Sequence, residues 1–159
     1  MSTSWSGPSC RWRHRGVATI EFVVCAPLLL LLMLATAEIG RAFVHYATLS
    51  YSVRHSARYV SEHALNGTTG VVSLDTTTIN RARNLAVYGN ILGTGPRKLP
   101  NYQVSQVQVT DVGGDNVRVV ATYPYQPMLG PLLPDFGLGS GPTALNFNMQ
   151  IAVIMRAIS

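Results

Sequence analysis

From Val17 to Ala37 the chain is almost continuously apolar, and Glu21 is the only charged side chain in that run. At a rise of about 1.5 Å per residue, a run of this length spans roughly the 30 Å hydrocarbon core of a bilayer. Beyond Ala37 the pattern changes without a helix breaker. Ile39, Ala42, Phe43, Tyr46, Leu49, Ser50, Val53, Ala57, Val60 and Ala64 recur at steps of three and four, the spacing of one helix face. Arg41, His45, Thr48, Ser52, His55 and Glu62 fall mainly on the other side. Asn66-Gly67 supplies a stop signal, so the pattern predicts one helix from the apolar run to about Leu65. That is near 50 residues and roughly 75 Å if straight. Pro27 removes one intrahelical hydrogen bond on the way.

After the helix the period shifts. Residues 67–78 are rich in Gly, Ser and Thr and read as a loop. Thr78 or Asn80 is expected to cap a short helix through Asn84 to Tyr88, ending near Gly89. A turn region from Gly93 to Pro100 follows, and alternation over Val104 to Thr110 predicts a strand. Asp111 to Asn116, with Gly113-Gly114 inside it, reads as a hairpin connector of about four residues. Val117, Val119, Ala121 and Tyr123 then share one face. Leu145, Phe147, Met149, Ile151, Val153 and Met155 alternate, with Asn146, Asn148 and Gln150 opposite, giving the clearest strand in the chain. The expected fold class is α+β: a long N-terminal transmembrane-to-extracytoplasmic helix packed on a small antiparallel β-sheet head. Between Tyr123 and Thr143, a Pro/Gly-rich stretch carries Met128, Leu129, Leu132, Leu133, Phe136 and Leu138. These side chains suit either a cover for a sheet edge or a contact with another subunit.

Charge orients this arrangement. Arg11, Arg13 and Arg15 precede the apolar run and no acid comes before Glu21, so the positive-inside rule puts the N-terminus in the cytoplasm. The expected location is a single pass through the bacterial cytoplasmic membrane, with the head outside it. The formal charge of +5 is mostly this leader; without its three arginines, nine basic residues face seven acidic ones. No basic cluster interleaved with aromatics remains, and no nucleic-acid partner is expected. Cys10 and Cys25 both lie outside the head, which therefore has no disulfide framework. His45, His55 and His63 are ten and eight residues apart, do not align on one helix face, and lack a completing acid or cysteine. They read as solvated helix residues. No metal, no cofactor and no enzymatic activity are expected.

Three readings fit the N-terminus. A secretory signal peptide would be cut after Ala35-Thr36-Ala37 and release a soluble binding domain starting at Glu38. An uncleaved anchor needs only length and flanking charge. A prepilin-type leader would be cut after Gly16 on the cytoplasmic side, with the apolar segment retained. Glu21 favours the third, because a carboxylate inside a membrane segment costs about 2.5–3.5 kcal/mol at the bilayer centre and needs a partner. Cleavage after Gly16 creates that partner, an ammonium on Val17, which is largely protonated at a reference pKa of about 7.7–8.0.

The same residues carry a resemblance. The chain resembles the TadE-like minor pilins or pseudopilins of the tight-adherence (Tad, type IVc) pilus system. The matching pieces are Arg15-Gly16, then VATIEF, then Pro27 and the leucine run, then Glu38-Ile39-Gly40-Arg41. Arg54-His55-Ser56-Ala57-Arg58 follows, similar to an R-x-x-A-R segment of relatives, which often have Glu-Gly in place of His55-Ser56. The resemblance implies processing by a prepilin peptidase between Gly16 and Val17. It implies that Glu21, the fifth mature residue, and Phe22 serve subunit assembly. It also implies a role in building an adhesive Flp-type pilus by helix bundling with other pilins or pseudopilins at an inner-membrane assembly platform. The expected organisation is a cleaved leader at 1–16, a membrane helix at 17–37, an amphipathic continuation at 38–66 and the head at 67–159.

Overall fold

A computed structural model describes residues 15–65, 72–128, 132–133, 143–144 and 146–157, with the backbone alone at 15–17, 132–133 and 143–144. The leader arginines Arg11 and Arg13, the Asn66-Gly67 stop signal, and Leu129, Phe136, Leu138 and Leu145 lie outside the described residues. The chain divides into two units, Met1–Ala37 and Glu38–Ser159. Helix α1, Arg15–His63, contributes to both and contains Pro27.

Within the first unit none of the described side chains of α1 is buried. Its large side chains are exposed all round, from Ile20 at 68% to Met33 at 69%. The helix is long and apolar enough to cross a membrane, with a mean hydropathy of 2.4 over its best window, none of it buried. A helix apolar on every side suits lipid or other helices as its surroundings. Thr36 turns its hydroxyl back to the Met33 carbonyl at 2.8 Å, so its polar atom is satisfied inside the helix.

The second unit is an α+β head. Helix α2, Thr76–Tyr88, is capped by Asp75, whose carboxylate accepts the Thr77 N–H at 3.3 Å. The cap thus falls ahead of the expected Thr78 or Asn80, because a carboxylate one residue before the helix reaches its free N–H groups first. Gly89 closes α2 at φ +81°, donating to the Leu85 carbonyl at 3.0 Å. Val104–Gln106, expected to open a strand, instead form one 3-10 turn, held where Gln103 N donates to the Gln106 side chain at 3.0 Å.

Strand β1 is Val107–Gly113 and β2 is Asn116–Tyr125. They form an antiparallel hairpin with a bulge between Asp111 and Gly113. Gly114 and Asp115 both have φ +61°, the primed turn geometry that matches strand twist. Strands β3 (Leu132–Leu133) and β4 (Thr143–Ala144) pair separately. Strand β5, Phe147–Arg156, runs antiparallel to β2 along its whole length, giving the order β1-β2-β5.

The core lies between this sheet, α2 and the outer part of α1. Val117, Val119, Ala121, Tyr123 and Tyr125 point inward from β2, with Met149 and Ile151 beside them from β5. From α1 come Leu49, Val53, Ala57 and Val60, with Ala64 just past its end, all fully buried. Ser52 and Ser56 are buried with them, and the Ser56 hydroxyl reaches the Ala82 carbonyl of α2 at 2.8 Å. Small side chains at 56, 57 and 82 let the two helices approach closely. The buried face of α1 is therefore rotated from the one the periodicity suggests near Glu38. Ile39, Phe43 and Tyr46 are 70%, 72% and 49% exposed, whereas Glu38 and Ser52 are buried. The tyrosines of β2 select polar partners at this end of the helix, so hydrogen bonding rather than hydropathy decides which side turns inward.

Close packing at Ala57 leaves no space for a larger side chain. Ala57→Leu is expected to lower stability by about 1–3 kcal/mol through overpacking. Urea unfolding of the protein in lipid nanodiscs, followed by near-UV circular dichroism, measures it.

Candidate functional site

Two clusters of residues carry chemistry, one in each unit. In the first, Gly16 and Val17 lie near the beginning of the described part of α1. Glu21 is exposed and forms no ion pair among the described residues, and Phe22 is 67% exposed. Val17 and Glu21 are four positions apart, about one helical turn. Cys25 is a free, exposed thiol.

In the second unit, the residues from 38 onward divide by face. Outward, Ile39, Phe43, Val44 and Tyr51 are between 61% and 72% exposed, an apolar surface on a helix that elsewhere is packed. Inward, Glu38, only 9% exposed, meets the end of β2. Its carboxylate accepts a short hydrogen bond from the Tyr125 hydroxyl and another from the Met128 N–H at 3.2 Å. One turn and two turns on stand Arg41 and His45. The His45 ring packs edge-on against Tyr123 and Tyr125, with centroids at 5.9 and 5.4 Å. The Tyr123 hydroxyl donates to the Pro100 carbonyl at 3.0 Å and lies 3.4 Å from His45 Nδ1. Tyr102 stacks edge-to-face on Tyr123 at 5.9 Å. Arg41 Nη1 is buried without a hydrogen-bond partner.

This packing changes acidities in understandable directions. Burial, and then the hydrogen bond to Glu38, push Tyr125 up to about 12. Burial raises Tyr123 and Tyr102 as well. His45 is lowered, first by burial and then by the Arg41 charge, with Glu38 opposing. His45 is thus a half-buried member of an aromatic cluster and not the solvated residue expected from sequence. His55 and His63 are exposed, as expected, against Tyr51 and Tyr59 respectively. Among the described residues no group of three or more His, Cys, Asp or Glu side chains could hold a metal.

The Arg54 to Arg58 segment splits likewise. Arg54 and Arg58 face out, Arg58 pairing with Glu62 at 2.9 Å, while Ser56 and Ala57 are buried in the core. Sequence reasoning noted Glu38 only as a piece of a resemblance, placed Arg41 on the polar side of the helix, and missed the cluster they enter. The available signal was the Tyr123-Pro124-Tyr125 run, which alternates two large hydroxyl-bearing rings onto the inward face of a strand.

A long helix, apolar all round at its start and packed on a small antiparallel sheet at its end, defines an α+β protein with one candidate membrane span among the described residues. Residues 16–58, covering both clusters on α1, match the family model described as TadE-like protein. The resemblance seen in the sequence holds over that segment. Comparison with curated proteins and with solved structures gave no match.

The Tyr125 shift carries a definite sign. A group whose folded pKa is raised contributes stability that is fully present below its unfolded value, about 10 for tyrosine. That contribution is lost as pH climbs through about 12. Alkaline unfolding is therefore expected to steepen in this window, and Tyr125→Phe should shrink that loss, while Tyr102 and Tyr123 leave a remainder. Glu38→Leu removes the carboxylate acceptor of a buried hydroxyl and should cost about 1–3 kcal/mol near neutral pH. Denaturant unfolding at stepped pH, alongside tyrosinate absorbance, checks both.

Proposed function

We propose that this chain is a minor pilin or pseudopilin of a Tad pilus, made as a membrane-inserted precursor and matured by a prepilin peptidase that cuts between Gly16 and Val17. The observation that carries this reading is the TadE-like match, which starts at residue 16 and ends within the packed part of α1. The precursor sits with its leader in the cytoplasm and its head outside, as the leader arginines direct. Cleavage removes Arg11, Arg13 and Arg15 together, relaxing the hold of an anionic leaflet by roughly 1 kcal/mol per basic residue. The new Val17 ammonium of one subunit then pairs with Glu21 of a neighbour, so two charges enter the bilayer interior as a neutral couple.

The role is structural rather than catalytic. Exposed apolar side chains along the first unit, and the outward Ile39, Phe43 and Val44 on the same helix, offer surface for bundling with other pilins. Phe22, exposed next to Glu21, adds an aromatic contact to that surface. Partners are the peptidase, other pilins or pseudopilins, and an inner-membrane assembly platform, and the pilus serves adhesion. A second reading follows from the division of the chain at Ala37/Glu38, which coincides with the small-residue site Ala35-Thr36-Ala37. Signal peptidase would there release the head as a secreted binding domain.

Mass spectrometry of the mature protein from its native host separates the two readings: an N-terminus at Val17 is expected, and one at Glu38 supports release. Gly16→Ala should leave the leader attached, seen as the uncut mass. Glu21→Leu should insert and be processed normally but enter pili poorly; pilus yield and incorporation equal to the unaltered protein would refute the pairing.

A further inference from the structure

Tyr51, Arg54, His55 and Arg58 follow one another at helical steps of three, one and three, so they share one outward stripe of α1. Met155 of β5 lies beside them, and the five line an open groove of about 270 Å³. Tyr51 is 69% exposed, and its ring tilts against that of His55 with centroids 5.2 Å apart. Arg54 forms no ion pair among the described residues, and Arg58, its side chain 75% exposed, meets Glu62 through Nε. The groove thus sets two cations around aromatic and thioether walls.

A second feature stands at the same end of the sheet. Met155 pairs with Val117, and the β1–β2 turn begins one residue further on, where Asn116 pairs with Gly113. The Ala157 N–H donates to the Asp115 carbonyl at 2.7 Å, fixing the turn to the end of β5. Val112 is the extra residue of the bulge: Asp111 faces Val117, Gly113 faces Asn116, and Val112 has no cross-strand partner. Bulges re-aim side chains. Here the bulge leaves Val112 53% exposed, between the exposed carboxylates of Asp111 and Asp115.

We propose that this groove receives the β1–β2 turn of a second copy of this chain, with Val112 seated between Tyr51 and Met155, Asp111 on Arg54 and Asp115 on Arg58. The two features are complementary in kind. The turn brings one apolar side chain flanked by two acids, and the groove brings apolar walls flanked by two bases. A free inorganic anion would satisfy the arginines and leave the apolar walls empty. Because groove and turn lie at one end of the sheet, a single two-fold axis lets each copy give its turn and receive the other's, so one operator makes the contact twice. The exposed charges around both features also balance, Arg54, Arg58 and Arg156 against Glu62, Asp111 and Asp115, so a copy meets its like without net repulsion. One turn in one groove is smaller than the about 800 Å² per partner of a stable complex, and the reciprocal contact doubles it. The proposal is independent of how the N-terminus is processed, since every residue in it belongs to the second unit.

The test uses two differently tagged full-length copies co-expressed in the native host, both with Cys10→Ala and Cys25→Ala. One copy carries Tyr51→Cys and the other Val112→Cys, so a disulfide between the two positions can form only between copies. After oxidation with copper-phenanthroline, the mixed dimer is expected to exceed either same-position dimer on a non-reducing gel. It should also exceed the product of a control pair in which Leu92→Cys, at a 77% exposed position, replaces Tyr51→Cys. Adding Arg54→Glu to the Tyr51→Cys copy should lower the mixed dimer by about tenfold, and adding Asp111→Arg to the other copy should restore it. Far-UV circular dichroism of the purified copies establishes that each is folded. Should a charge variant not fold, the cysteine pairs decide alone. A mixed dimer no stronger than the Leu92→Cys control overturns the proposal. So does a mixed dimer unchanged by Arg54→Glu in folded chains, or cross-linking of the Tyr51→Cys copy to a different host protein in place of the second copy.

Discussion

Glu38 brings a carboxylate to the inner face of α1 at the point where that helix enters the head. A charge with so little exposure needs hydrogen bonds to its oxygens, and it receives them from the Tyr125 hydroxyl and the Met128 N–H. These two bonds tie the helix to the end of the central strand across a long stretch of sequence. The helix cannot rotate about its axis without leaving both donors and the carboxylate unsatisfied. That constraint turns Arg41 and His45 toward the sheet, aligns Leu49, Val53, Ala57 and Val60 with the core, and leaves Ile39, Phe43 and Val44 outside.

The exposed apolar residues follow from this rotation rather than from a lack of something to pack on. A helix has one inward face, and here polar complementarity occupies it at the near end and small or branched side chains at the far end. Large hydrophobic residues are displaced to the outer side. A TadE-like segment that spans residues 16–58 thus combines two requirements: one face complementary to the chain's own head, and one that remains free. The alternation of buried Ser56-Ala57 with exposed Arg54 and Arg58 reflects the same division.

The same tyrosine links the helix to β5, the edge strand of the sheet. Tyr125 is fixed by Glu38 on one side and lies under Phe147 on the other. The position of an exposed aromatic ring at the sheet's end is therefore set by a hydrogen bond on the helix.

Much of the architecture was readable without coordinates because it depends on local periodicity. A nearly continuous apolar run marks a membrane-length helix, steps of three and four its continuation, and alternation the strands β2 and β5. Gly113-Gly114 marks the hairpin, since only residues tolerant of positive φ turn that tightly. What sequence could not settle depends on partners distant in the chain. Val104–Gln106 alternate like a strand, yet the Gln106 side chain bonds back to Gln103 and winds them into a turn. His45 reads as solvent-facing until two rings of β2 are placed beside it. The inward rotation of α1 at Glu38 is the clearest case. Its hydropathy favours Ile39, Phe43 and Tyr46, and only the tyrosine hydroxyl brought close by the folded sheet makes a carboxylate the better residue to bury.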